Sequence, residues 1–222
     1  GDLCFGSLDM YTVLIRDLGD GYMKNTLKIR LLSMYFHNTM KPEYRNKSIS
    51  RKRVKDIAKE QKKITFRAGE MSDGKLISSY IMAIYFIAMN RKSGLTPEEN
   101  YEILAKAISL SKLLKLTMGD SESYLDEKKL PGRLQWAEES KKRIQKNNWV
   151  VEVLPGCDEY DLGYDYYECG VCEICRDEGC PELAKYMCRL DFVIADIMGM
   201  KLVRTKTLAE GANLCDFRYS RR

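Results

Sequence analysis

One histidine and five prolines stand among the 222 residues, and no apolar run is long enough to cross a bilayer. The single histidine leaves no material for a three-histidine metal site or an H-E-x-x-H protease. A Ser-His-Asp arrangement would need His37 itself as the base. His37 lies in "MYFHNTM", on the apolar side of a helical pattern, where a satisfied core residue is expected. The longest apolar run, "LISSYIMAIYFIAM" (76–89), falls short of the roughly 20 residues a spanning helix needs, so it reads as a buried helix and no membrane partner is expected. No charged start runs into an apolar stretch as a signal peptide would. The expected compartment is therefore the cytoplasm, where thiols stay reduced and cysteines are read as ligands or catalysts before disulfides. Repeats and low-complexity stretches are also missing, and a composition of 45% hydrophobic and 31% charged residues is that of an ordinary globular chain.

What is present is unevenly placed. Residues 41–67 carry eleven Lys/Arg against three Asp/Glu, whereas residues 156–182 carry nine Asp/Glu against one Arg. In the basic stretch Ile49, Val54, Ile57, Ala58, Gln61 and Ile64 recur near helical spacing, and no aromatic side chains interleave to stack on bases. It reads as a solvated helix face, and no nucleic-acid partner is expected.

Apolar residues recurring at three and four predict helices near 5–17, 22–38, 50–66, 74–91, 97–118 and 133–147. The clearest start is "TPEEN", with Thr96 as N-cap, Pro97 at the first helical position and Glu99 closing a capping box. From "NNWVVEVLPG" the texture changes to strand formers, and "GYDYYEC" (163–169) alternates. Gly179 and Pro181 end one short helix near 170–178 and open another near 181–198. The runs "KLVRTKTL" and "NLCDFRYS" then read as strands, with Gly211 in the turn between them. The expected class is α+β: a helical region, 1–147, then an α+β region, 148–222, with an antiparallel β-β-α-β-β sheet and helices packed on it, all in one compact unit.

Five of eight cysteines fall between Tyr166 and Phe192. Cys169, Cys172, Cys175 and Cys180-Pro181 differ from a ferredoxin cluster run only in the last spacing. A second run is missing, however, and the flanks predict a regular helix. A zinc site could draw on Cys169 and Cys172 as one pair with Cys188 and Cys215 as single ligands, but the usual second pair is absent. No cofactor is expected; zinc or an iron–sulfur cluster is the alternative these cysteines leave open. In the helix after Pro181, Leu183, Met187, Leu190, Ile194 and Ile197 form an apolar stripe with Cys188 and Asp191 on its edge, one turn apart. A carboxylate beside a core stripe needs a cation such as Arg204, or a pocket. On the last strand, Cys215, Phe217 and Tyr219 oppose Asp216 and Arg218.

The stretches "GYDYYECGVC", "PELAKYMCRLDFVIADIMGMKL" and above all "RTKTLAEGANLCDFRY" resemble the C-terminal signature of the L-2-amino-thiazoline-4-carboxylic acid hydrolase family, over about residues 147–219. The same portion is distantly similar to the ligand-binding domain of 4-vinyl reductases, which would make it a binding module without turnover. The family resemblance implies hydrolytic opening of a cyclic isothiourea that bears a carboxylate, giving a carbamoyl-cysteine in cysteine metabolism. Residues matching the pattern include Tyr166, Cys169, Pro181, Cys188, Asp191, Arg204, Thr205, Thr207, Gly211, Cys215 and Asp216. On this reading Asp191 and Asp216 hold the amidine-like cation and Arg204 grips the substrate carboxylate. Attack comes from activated water or from a thiolate, with Cys188 as first choice and Cys169 and Cys215 in reserve. Thr205 or Thr207 would donate to the departing group, and Tyr166 would line the substrate. Cys175 and Cys180 look peculiar to this chain.

Overall fold

A computed structural model describes residues 22–69, 76–144 and 147–222; the expected helix near 5–17 lies outside them. The chain divides into two units, Gly1–Thr117 and Met118–Arg222, ahead of the change in texture at 147.

The described part of the first unit is helical: α1 (Tyr22–Asn46), α2 (Arg51–Ala68), α3 (Ile77–Lys92) and α4 (Pro97–Leu110), with α5 (Lys112–Met118) following. α3 is its centre, with every residue from Tyr80 to Met89 buried. Around it, α1 contributes the i, i+4 row Leu32, Phe36, Met40 and Tyr44, and α2 turns in Ile57, Glu60, Gln61 and Ile64. Glu60 is tolerated there because Arg91 reaches it at 3.0 Å. The capping box of Thr96 and Glu99 opens α4. His37 is half-buried against α3, its Nδ1 3.2 Å from the Tyr85 hydroxyl, and burial holds its pKa below the usual value.

The helix expected over 97–118 breaks at Ser111, whose backbone is extended. Its hydroxyl oxygen accepts the Leu114 amide and is paired with the Tyr35 hydroxyl. A serine side chain that competes for backbone groups ends one helix and caps the next.

The second unit carries α6 (Ser121–Tyr124), α7 (Leu130–Ser140), β1 (Val150–Cys157), β2 (Tyr160–Glu168), α8 (Gly170–Asp177), α9 (Ala184–Ile197), β3 (Met200–Val203) and β4 (Cys215–Arg221). The sheet is antiparallel with order β1-β2-β4-β3. Alternation puts Val151, Val153, Leu162, Tyr164, Tyr166, Cys215, Phe217, Tyr219, Met200 and Leu202 on one face. That face is the core, closed by Leu125, Trp136, Ala137, Ile194, Ala195 and Met198. α7 starts at Leu130 rather than 133 and stops at Ser140, whose hydroxyl oxygen accepts the Val151 amide at 3.1 Å. This contact ties α7 to the sheet.

The strand expected over 201–208 ends at Val203. Two side chains pull the chain out of the ladder. Arg204 turns inward to Asp191, while the Asp216 carboxylate accepts the amides of Thr205 (2.9 Å) and Lys206 (2.6 Å).

Candidate functional site

The site lies where β2 hands over to α8. Gly170 is required there: a Cβ at that position would stand 2.3 Å from the Asn147 carbonyl oxygen. The close approach sets the strand-to-helix turn and leaves Cys169 at the N-cap of α8 with Cys172 one turn in. The Cys169 side chain makes no capping hydrogen bond in the strict sense, and the Glu173 amide donates to the Cys169 carbonyl at 3.0 Å. Even so, the Cys172 thiol, against the opposing effect of burial, and then the amides of Cys172 and Val171 hold the Cys169 thiol below the usual range.

α9 brings Cys188 and Asp191 to the same place from the other side, and β4 begins on Cys215. Burial raises the Cys188 thiol far above its ordinary pKa, with the Asp191 charge adding to the effect. Burial also pushes Cys215 up to about 11, although its sulfur accepts the Leu208 amide at 3.2 Å. Among the three candidate nucleophiles only Cys169 is shifted toward the thiolate.

Asp191 is held by Arg204. Arg204 Nη1 donates to Asp191 Oδ2 at 2.6 Å, and Nη2 donates to the Cys188 carbonyl at 2.8 Å. The guanidinium lies between the rings of Phe192 and Phe217, 4.9 Å from each centroid. Burial raises the Asp191 carboxyl to about 6 despite this cation. Next to it runs a wall of tyrosines. Tyr164 and Tyr166 stack at 5.9 Å, Tyr124 meets Tyr219 edge-on at 5.5 Å, and Tyr166 meets Phe217 edge-on at 5.2 Å. Burial raises Tyr124, Tyr166 and Tyr219 well above the phenol range, and the Asp191 charge contributes to all three shifts.

The structure therefore gathers Tyr166, Cys169, Cys188, Asp191, Arg204 and Cys215 on the inner face. Asp216 is on the outer face of β4, and its carboxylate accepts Thr205 Oγ1–H at 2.6 Å together with two amides. Burial works against it, but those bonds keep its pKa below the usual value. Asp216 thus clamps the loop and does not join Asp191, and Thr205 goes with it, exposed. Thr207 is buried but its hydroxyl is engaged by Glu210 Oε2 at 2.6 Å. Tyr124, Tyr164 and Tyr219 were not foreseen as site residues; the alternation of "GYDYYE" was the available signal for Tyr164.

The thiols of Cys169, Cys172, Cys188 and Cys215 influence one another's protonation. Among the described residues, however, no three His, Cys, Asp or Glu side chains are grouped so as to hold a metal ion. A cavity of about 610 Å³ opens in the same unit, lined by Leu125, Arg133, Tyr160, Asp161, Leu162 and Arg221. It lies toward the Leu162 end of β2, whereas the Asp191 group is at the Tyr166 end. No described helix is long and apolar enough to cross a membrane.

No curated protein and no solved structure matches this chain. A family model does match over residues 74–219, reaching back from the sheet into the helical region. With two-thirds of its length covered, this chain belongs to the L-2-amino-thiazoline-4-carboxylic acid hydrolase family.

Proposed function

We propose that this protein is a hydrolase that opens the C–N bond of a five-membered cyclic isothiourea bearing a carboxylate, with L-2-aminothiazoline-4-carboxylate as substrate and a carbamoyl-cysteine as product. The family name supports the class of reaction. The observation that carries the chemistry is Asp191, a carboxyl raised to about 6 beside a buried arginine and a wall of tyrosines. Near neutral pH such a group is ionised yet basic enough to take a proton from water.

The substrate's protonated amidine-like group is a planar cation, and Asp191 is the anion on the inner face that would receive it. Water adds to C2 as Asp191 removes its proton. The ring nitrogen takes the proton back from Asp191, C2–N breaks, and the C2 hydroxyl proton passes through Asp191 to the released amine as the carbamoyl carbonyl forms. One water is consumed, and the carbamoyl group remains on sulfur. Arg204 is a positioning residue, because both of its Nη atoms are already engaged by Asp191 and Cys188. A covalent variant, with Cys169 adding to C2 before water, is favoured by its lowered pKa.

The test is incubation of the purified protein with L-2-aminothiazoline-4-carboxylate, followed by mass spectrometry and a thiol-reactive dye. The expected result is a product heavier by one water with no new free thiol, and loss of turnover by more than tenfold in Asp191→Asn. Substrate left unchanged at high protein concentration would instead favour a small-molecule-binding module built on this fold.

A further inference from the structure

α8 ends in a tight hydrogen-bonded reversal. The Gly179 amide donates to the Arg176 carbonyl at 3.0 Å and the Cys180 amide donates to the Cys175 carbonyl at 2.8 Å, with Gly179 at φ +70°. This is the Schellman pattern, in which the third-last helical residue and the second residue past the end bring their side chains into contact. Usually that contact is between apolar side chains; here both are cysteines, and the Cys180 thiol raises the pKa of Cys175. Both are reduced. With N–Cα at about 1.46 Å and standard carbonyl geometry, a backbone bond of this length keeps their Cα atoms within about 6.7 Å, inside the span a disulfide requires.

We propose that Cys175 and Cys180 are a disulfide-forming pair, a modification site at which a low-molecular-weight disulfide closes a reversible clamp across the end of α8. Cys175 is buried and Cys180 is partly exposed, so the reagent enters at Cys180. The Cys180 thiolate attacks the small disulfide, forming a mixed disulfide and releasing one thiolate. The Cys175 sulfur then attacks the Cys180 sulfur and expels the second small thiol, which leaves with the Cys175 proton. Two protein thiols are oxidised and one small disulfide is reduced to two thiols. Cys180 leads through Pro181–Leu183 directly into α9, which carries Cys188 and Asp191, while α8 begins beside Cys169. The clamp thus fixes the joint between the two helices that supply the site. The pair does not depend on the hydrolase reading.

The sequence makes the test direct, since trypsin cuts after Arg176 and separates the two cysteines. Folded protein is equilibrated with oxidised glutathione, alkylated and digested without reductant. The expected result is that peptide 177–185 is lost from the free pool and found joined to peptide 147–176, and that dithiothreitol restores it. Cys175→Ser should stop at the mixed disulfide of Cys180 with glutathione. Peptide 177–185 released unlinked from the oxidised wild type, whether free or glutathionylated, would overturn the proposal. Peptide 147–176 also holds Cys157, Cys169 and Cys172, so fragmentation of the joined wild-type peptide assigns the bond even where the variant does not fold, and a bond from Cys180 to any of those three would overturn the proposal as well. Activity enters neither readout.

Discussion

Arg204 is more deeply buried than the carboxylate it serves: its side chain is 5% exposed, against 33% for Asp191, across a contact of 2.6 Å. The arginine is fixed by two aromatic rings and the Cys188 carbonyl, and it holds the acid at the edge of the inner face. A buried cation of this kind is costly to leave alone, and so is the acid once the cation is gone.

Replacing Arg204 by Met should therefore destabilise the protein by about 3 kcal/mol, at the low end for a broken buried pair because Asp191 keeps a third of its exposure. Chemical denaturation measures this. In the Asp191→Asn background the same replacement should cost measurably less, since no charge is stranded. Equal costs in both backgrounds would mean that the rings, not the ion pair, hold the arginine.

The pH dependence follows from Asp191, whose folded pKa is raised from 3.8 to about 6. A raised carboxyl pKa means that the folded form binds the proton more tightly than the unfolded one. Between about pH 4 and pH 6 stability therefore falls as pH rises, and above pH 6 the loss is complete. Turnover moves the opposite way, with kcat/KM rising through pH 6 as the base ionises and levelling above it. Asp191→Asn should flatten this part of the stability profile, which is read from urea midpoints at pH 4.5 and pH 7.

Much of this arrangement could be read from residue order. The row Ile57, Gln61 and Ile64 marked the buried side of α2, the Thr96–Glu99 box marked the start of α4, and alternation separated Cys215 from Asp216. A carboxylate beside an apolar stripe pointed to a cation, and Arg204 meets Asp191. What could not be read depended on long-range contact. Tyr124 joins the tyrosine wall from a short helix far away in sequence, and no local pattern announces it. The departure of Arg204 to Thr207 from strand geometry is set by Asp216 and Asp191, partners that spacing alone does not reveal. The thiol order also depended on the turn at Gly170, which puts Cys169 rather than Cys188 at a helix N-terminus.

That thiol order can be measured. Iodoacetamide in limiting amount at neutral pH should label Cys169 ahead of Cys188 and Cys215, because the thiolate is the reacting form and only Cys169 is shifted toward it. Peptide mapping over time gives the rates. Cys188 modified first would return the nucleophile's role to α9.

The outer face offers a control for the inner one. Asp216 accepts from Thr205 Oγ1, the Thr205 amide and the Lys206 amide, and these bonds hold the loop that follows β3. Asp216→Ala leaves the two amides to water and should cost about 1–2 kcal/mol. Thr205→Val removes only the hydroxyl bond, so it should cost less, and adding it to Asp216→Ala should cost almost nothing more. Because this carboxylate is on the face away from Asp191, the Asp216→Ala protein, once folded, should keep the same acid limb near pH 6. A limb displaced by Asp216→Ala would mean that the loop sets the position of Arg204, and with it the basicity of Asp191.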